Sequence, residues 1–278
     1  MGRDDAAYRP SSRSCIGILP PLALHRARKP LCVSPMLQRS TLPPPPPLAE
    51  LTEHALFVDF DGTLVKIAEG PDKIDVAKDL GSRLARLAAR LGQRLAVVTG
   101  RSLENLESFL DTADFYRAGS HGAHVVAPNG AMLREAQALP DEVIATLKRF
   151  AAERGLLYER KTHGGAIHYR AEPSQKRAVQ DIAASVASEH GLSAKHGKCV
   201  VELVWPGADK GGAVRLLAER APFAGARPVF IGDDVTDEDG MAAAAALGGF
   251  GIAVGERPSD NAIYHLNSVK DVHAWLKL

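Results

Sequence analysis

Aromatic residues make up only 5% of this 278-residue chain, and cysteine supplies three positions, Cys15, Cys32 and Cys199. The cysteines show neither pairing nor metal-ligand spacing, so a reducing, cytoplasmic setting is expected. Charge of one sign is also lacking: 34 basic and 33 acidic side chains leave a net +1. Such a balance removes the electrostatic footprint of a nucleic-acid binder or of a protein held on an anionic membrane. Long apolar runs are absent too. The stretch Ile16 to Leu24 is interrupted by Pro20 and Pro21 and is too short to span a bilayer, so no membrane partner is expected.

Residues 1–50 differ in character from the rest. A basic, serine-containing stretch from Arg3 to Arg39 runs into Pro43 through Pro47, a composition that favours extended, unpacked chain. Asp4 and Asp5 speak against a transit peptide. The reading is a disordered extension, with Met36 as an alternative start. The chain from residue 51 onward is long enough for one α/β domain with a smaller insert.

The informative feature is where the acids fall. Leu56-Phe57-Val58-Asp59-Phe60-Asp61-Gly62-Thr63 is an apolar strand pattern that delivers two carboxylates onto a glycine turn. Unpaired buried charge is costly, and a hard divalent cation with oxygen ligands is the usual compensation. Downstream, Leu95 to Val98 is a second apolar strand, ending in Thr99-Gly100-Arg101. Lys210 opens a helical pattern, and Pro228 to Gly232 is a strand ending in Asp233-Asp234, with Asp237 three residues on.

Apolar strands alternate with helical patterns from residue 51 to about 133 and again from 206, which argues for a parallel sheet flanked by helices. Strands are expected at Ala55–Phe60, Leu95–Val98, Phe115–Gly119, Pro228–Gly232 and Gly251–Val254. Helices are expected over Val76–Leu91, Leu103–Leu110 with Ser102 as its cap, Lys210–Arg220, Asp237–Ala246 and near Val272–Leu276. A hairpin over Val125–Leu133 turns at Asn129-Gly130. Residues 134–205 read as α-β-β-α-β-β, with Gly164-Gly165 and Gly197-Lys198 as the joints between strands. The predicted architecture is therefore α/β: a doubly wound parallel core with an inserted α+β cap. Ligands of open α/β sheets bind beyond the carboxyl ends of the strands, where these acids lie.

Those residues fit phosphoryl transfer, which needs a positioned nucleophile, charge neutralisation and a proton for the leaving oxygen. Asp59 is the candidate nucleophile and Asp61 the general acid and later base. Mg²⁺ would be held by Asp59, the Asp61 carbonyl and Asp233. Thr99, Gly100 and Lys210 are candidates for phosphate oxygens. Asp234 and Asp237 either orient metal waters and Lys210 or simply cap a helix. Arg101 either touches phosphate or pairs with an acid. His121 and His163 stay unassigned, because neither has metal-ligand spacing.

The D-x-D-G-T start, the T-G-R strand end, the late lysine and the final acidic strand together resemble the haloacid-dehalogenase-like (HAD) phosphatases. Gly232-Asp233-Asp234-Val235-Thr236-Asp237-Glu238 is more discriminating, and with Glu159-Arg160-Lys161, His168-Tyr169-Arg170 and Gly197-Lys198 to Glu202 it resembles the trehalose-6-phosphate phosphatases over residues 51–278. The resemblance implies a Mg²⁺-dependent hydrolase acting on a phosphorylated disaccharide through an aspartyl-phosphate. It also implies that Glu159, Lys161 and Glu202 bind sugar hydroxyls while Arg170 and Lys210 approach the phosphate. From the residues alone, Glu159 and Lys161 share one face of a strand and could equally form a surface ion pair. The competing readings are another capped sugar phosphatase, acting on a glycosyl-glycerate phosphate or sucrose phosphate, then a phosphomutase, and a non-catalytic sugar-phosphate sensor. No residue reports assembly, and a monomer is the default expectation.

Overall fold

The computed structural model describes residues 42–67, 74–161, 163–197 and 199–278. Most of the expected extension, residues 1–41, and Lys198 lie outside the described residues. In chain order the elements are β1 (His54–Val58), α1 (Leu80–Arg90), β2 (Leu95–Val98), α2 (Leu103–Glu107), β3 (Tyr116–Gly119), β4 (His124–Val126) and β5 (Met132–Arg134). Then come α3 (Asp141–Glu153), β6 (Leu157–Lys161), β7 (Gly164–His168), α4 (Lys176–His190), β8 (Ser193–Gly197) and β9 (Val200–Val204). The chain closes with α5 (Lys210–Ala218), β10 (Arg227–Gly232), α6 (Glu238–Ala246), β11 (Phe250–Val254), β12 (Ala262–Leu266) and α7 (Val269–Leu276).

Near-continuous apolar sequence marks β1, β2, β10 and β11 as strands covered on both faces. Alternate side chains divide between two layers. Leu56, Val58, Val97 and Ile231 point to one layer with Leu84 and Leu87 of α1 and Leu276 of α7. Phe57, Val98 and Phe230 point to the other with Val214 and Leu217 of α5 and Met241 of α6. Helices therefore cover both faces, as doubly wound sheets require. The sheet order is β12-β11-β10-β1-β2-β3-β4-β5, parallel through β3 and antiparallel at the β4 and β5 edge. The cap is a separate antiparallel sheet, β6-β7-β9-β8. Its own core joins Val143 and Leu147 of α3 and Val179 and Val186 of α4 to Ile167, Val201 and Leu203 of the sheet. The predicted α/β core with an α+β insert is thus the observed fold.

Three details differ from the reading of the sequence. Gly164-Gly165 is not the joint between cap strands but the start of β7, and both glycines are there for space: a Cβ on Gly164 would lie 2.6 Å from the Leu203 carbonyl oxygen, and one on Gly165 would lie 2.7 Å from the Tyr158 hydroxyl. Residues 42–50 are not an unpacked extension. His265 N donates to Pro43 O at 3.0 Å, Trp275 Nε1 donates to Pro46 O at 2.8 Å, and Leu48 packs on the core. Finally, β12 has no counterpart among the expected strands, because it is an edge strand with a bulge in its pairing to β11 and a mixed burial pattern.

Candidate active site

The acids sit just past the ends of β1 and β10, where the backbone leaves the ladder. Asp59 follows β1, and its amide still donates to Ile231 O at 2.9 Å, so the neighbouring strand holds it in place. Gly62 has φ +80°, and a Cβ there would stand 2.1 Å from Asp233 Oδ2. Only glycine takes that turn and also lets the loops after β1 and β10 touch.

Lys210 is the first residue of α5, whose amino end is capped by Asp209 accepting from Gly212 N at 2.7 Å. Its Nζ donates to Asp59 Oδ1 and Asp237 Oδ1, both at 2.6 Å, with 3% of the lysine side chain exposed. Asp237 is fully buried, and its second oxygen accepts from Asp234 N at 2.8 Å within a reciprocal capping box. Asp234 and Asp237 thus cap a helix, and Asp237 in addition accepts from Lys210.

Carboxylate oxygens of Asp59, Asp233 and Asp237 lie within 4.8 Å of one another. One ammonium cannot neutralise three carboxylates. Burial first, then the Asp237 charge, push the Asp59 carboxyl well above its ordinary range, against the pull of Lys210. Burial, Asp237 and Asp234 likewise push Asp233 up to about 6. Burial works against the Lys210 charge, yet Asp59 and Asp237 outweigh it and hold the ammonium above the usual lysine range. Surplus negative charge on hard oxygen donors, concentrated in a buried pocket, is what a divalent cation compensates, so the residues fit such an ion.

Arg101 forks onto Asp61, with Nε to Oδ2 at 2.6 Å and Nη2 to Oδ1 at 2.7 Å, and its Nη1 donates to Asn105 Oδ1 at 2.6 Å. Of its two open readings, pairing with an acid is what the structure shows. Thr99 is fully buried, and its Oγ1 accepts from Arg101 N at 3.2 Å. Its hydroxyl ties the turn together, while Gly100 and Arg101 line the cavity beside Asp59.

A cavity of about 700 Å³ is lined by Asp59, Asp61, Arg101, His121, Lys210 and Asp233. Beside it, between core and cap, a second of about 210 Å³ is lined by His163, Lys195, Glu202 and again His121 and Lys210. The cap residues divide. Lys161 Nζ donates to Glu202 Oε2 at 2.8 Å, which keeps Lys161 beside the smaller cavity. Glu159 pairs with His168 at 2.8 Å and lines neither cavity. Arg170 is exposed beyond the end of β7 and also lines neither. Lys195, Asn105 and Thr236 at the cavity walls were not singled out from the sequence, nor was Arg257, whose Nε donates to Asp233 O at 3.1 Å and Nη2 to Asp234 O at 2.9 Å. The signal for Thr236 was its place inside the acidic run; Lys195 and Arg257 carry none, because their partners are remote in sequence.

The trehalose-phosphatase family model matches residues 57–269. A probable trehalose-phosphate phosphatase of Sinorhizobium fredii is 37% identical over 213 residues, covering 74% of this chain and 79% of that protein. The trehalose-6-phosphate phosphatase of Escherichia coli is 34% identical over 246 residues, 84% of this chain and 90% of that protein. Among solved structures, Aspergillus fumigatus trehalose-6-phosphate phosphatase superposes with a TM-score of 0.69 at 25% identity, covering 84% of this chain and 97% of that one. The HAD phosphatase BT1666 of Bacteroides thetaiotaomicron, at 16% identity and a TM-score of 0.60, shares the fold. With its acid-tipped strands, its inserted cap and these relatives, this chain belongs to the trehalose-phosphatase family.

Proposed function

We propose that this protein hydrolyses trehalose 6-phosphate to trehalose and inorganic phosphate, with Mg²⁺ as its metal. The observation that carries the reading is the buried Asp59–Lys210–Asp237 array, with Asp233 beside it, where Asp59, Lys210 and Asp233 line a core cavity that shares Lys210 with the cap-lined one. Lys210 holds one Asp59 oxygen at 2.6 Å, so the other is the one that attacks phosphorus. The P–O bond to the sugar breaks as an aspartyl-phosphate forms, and the sugar oxygen takes a proton from Asp61. Water, deprotonated by the same Asp61, then attacks phosphorus and releases phosphate. For this the fork of Arg101 on Asp61 must open, and a guanidinium turned toward the cavity suits the bidentate geometry of phosphate oxygens. Asp59, Asp233 and the Asp61 carbonyl would hold the Mg²⁺, which when bound supplies Lewis-acid charge for the transferring group. The cap excludes water and brings Lys161 and Glu202 toward the sugar.

One observation favours a second reading, a different phosphorylated sugar: Glu159 and Arg170 stand outside both cavities. Phosphate release from a panel of sugar phosphates, with magnesium and with chelator, separates the two. Trehalose 6-phosphate should be the best substrate and chelation should stop its turnover; comparable rates on unrelated hexose phosphates would overturn the assignment. Asp59→Asn should retain less than about a hundredth of wild-type turnover, and a higher residual rate would contradict covalent catalysis.

A further inference from the structure

The catalytic cavity and the cap cavity share a border, and Lys210, Thr236 and His121 line both. Lys210 is committed to two carboxylates. His121 is not: among the described residues its imidazole makes no hydrogen bond, and its ring packs against Gly100, where a Cβ would come within 2.7 Å of Cε1. The backbone pays strain to aim it there. His121 has φ +57° and ψ +24°, in the left-handed region that costs a side-chain-bearing residue, and is held there by its amide donating to Thr99 O at 2.9 Å.

Across the border stands a second imidazole. His163 of the cap lies with ring centroids 6.1 Å from His121, and its Nε2 is 3.5 Å from Glu202 Oε1. Among the described residues, its Nδ1 and Glu202 Oε1 are buried without a hydrogen-bond partner. Buried polar atoms left unpaired cost about 1–3 kcal/mol each, so a site that keeps them is built for something that supplies the partner. Burial, Lys210, Lys161 and His163 all disfavour a charge on His121, whose pKa is lowered to about 3, and burial lowers that of His163 against the pull of Glu202. Neutral imidazoles each present one donor and one acceptor, which matches a sugar hydroxyl and not a phosphate dianion.

We propose that His121 of the core and His163 of the cap form an imidazole clamp on the sugar hydroxyls next to the phosphate, and that this clamp determines specificity. It rests on the phosphatase reading above and deepens it. The clamp closes only when the two domains meet, so it ties recognition of the sugar to the position of the cap.

The test compares kcat/KM for trehalose 6-phosphate with that for p-nitrophenyl phosphate, a small ester with no hydroxyls to clamp. His121→Asn keeps a side chain that tolerates left-handed backbone, and His163→Gln changes the cap partner alone. Each variant should lose at least about tenfold more on the sugar phosphate than on the small ester, mainly through KM, because truncated polar recognition penalises the substrate that used it. The double variant should lose less than the product of the single losses, since the rings touch. Equal losses on both esters, or no loss on the sugar phosphate, would overturn the clamp. If His121→Asn fails to fold, His163→Gln decides alone. If the wild type prefers another sugar phosphate, the trehalose assignment fails while the same ratio, read on that ester, still judges the clamp.

Discussion

At Lys210 one ammonium faces two carboxylates at 2.6 Å each, with Asp233 close behind, and the surplus charge on these oxygens fits a divalent cation. His121 is held neutral by burial first and then by the Lys210 and Lys161 charges, against the pull of Asp234, with its pKa lowered to about 3. An unfolded chain protonates that histidine near pH 6.5, so between these values the unfolded state binds more protons and stability falls as pH falls. Asp233, raised to about 6, acts in the other direction, because the folded state takes up its proton first. The difference between wild type and His121→Asn isolates the histidine. In metal-free urea titrations the wild type should lose about 1.4 kcal/mol relative to the variant for each pH unit below about 6.5. A difference flat with pH would mean that His121 titrates freely in the folded protein.

Elements explain why the acids are where they are. Strands β1 and β10 are parallel neighbours paired from His54–Arg227 to Val58–Ile231, so their carboxyl ends finish level and their next residues are adjacent. Gly62 then decides whether the turns can meet. Gly62→Ala would drive a Cβ into Asp233 and impose a positive φ on an L-residue. The expected result is a loss of about 1–3 kcal/mol in stability and a magnesium requirement shifted to higher concentration. A magnesium titration indistinguishable from wild type would contradict it. The same elements show what was legible. Strand ends, the Ser102 cap accepting from Asn105 N at 3.2 Å, and the α5 start are written in neighbouring residues. Edge strand β12 is not, because it joins the ladder through β11 on one side alone and its burial pattern is mixed.

At the scale of the molecule, ion pairs join the cap to the core beside the smaller cavity. Lys195 of β8 reaches Asp209 at 2.9 Å and Asp239 at 3.0 Å, both in the core, while keeping 38% of its side chain exposed. A bridge so exposed contributes under about 1 kcal/mol to stability and is screened by salt. Its consequence is for the position of the cap. Lys195→Ala should raise KM for the sugar phosphate several-fold while changing global unfolding by less than about 1 kcal/mol, and added salt should do the same to the wild type. Parallel losses of stability and activity would show the bridge to be structural only. The large cavity is walled by β1, β2 and β10 loops, and the small one by cap strands with the Lys210 helix.

By itself the sequence determined the α/β core, the cap and the candidate acids at strand ends, because each is encoded by periodicity and turn chemistry within a few residues. Tertiary structure alone decided that Lys210 meets Asp59 across 151 residues, that Arg101 takes Asp61, that Thr99 turns inward, and that Glu159 and Arg170 stay away from both cavities. It also drew the Pro43–Pro47 run onto the core and set His121 against His163. Partner choice for a charged or aromatic side chain depends on which remote segments pack beside it, and packing is a property of the folded molecule.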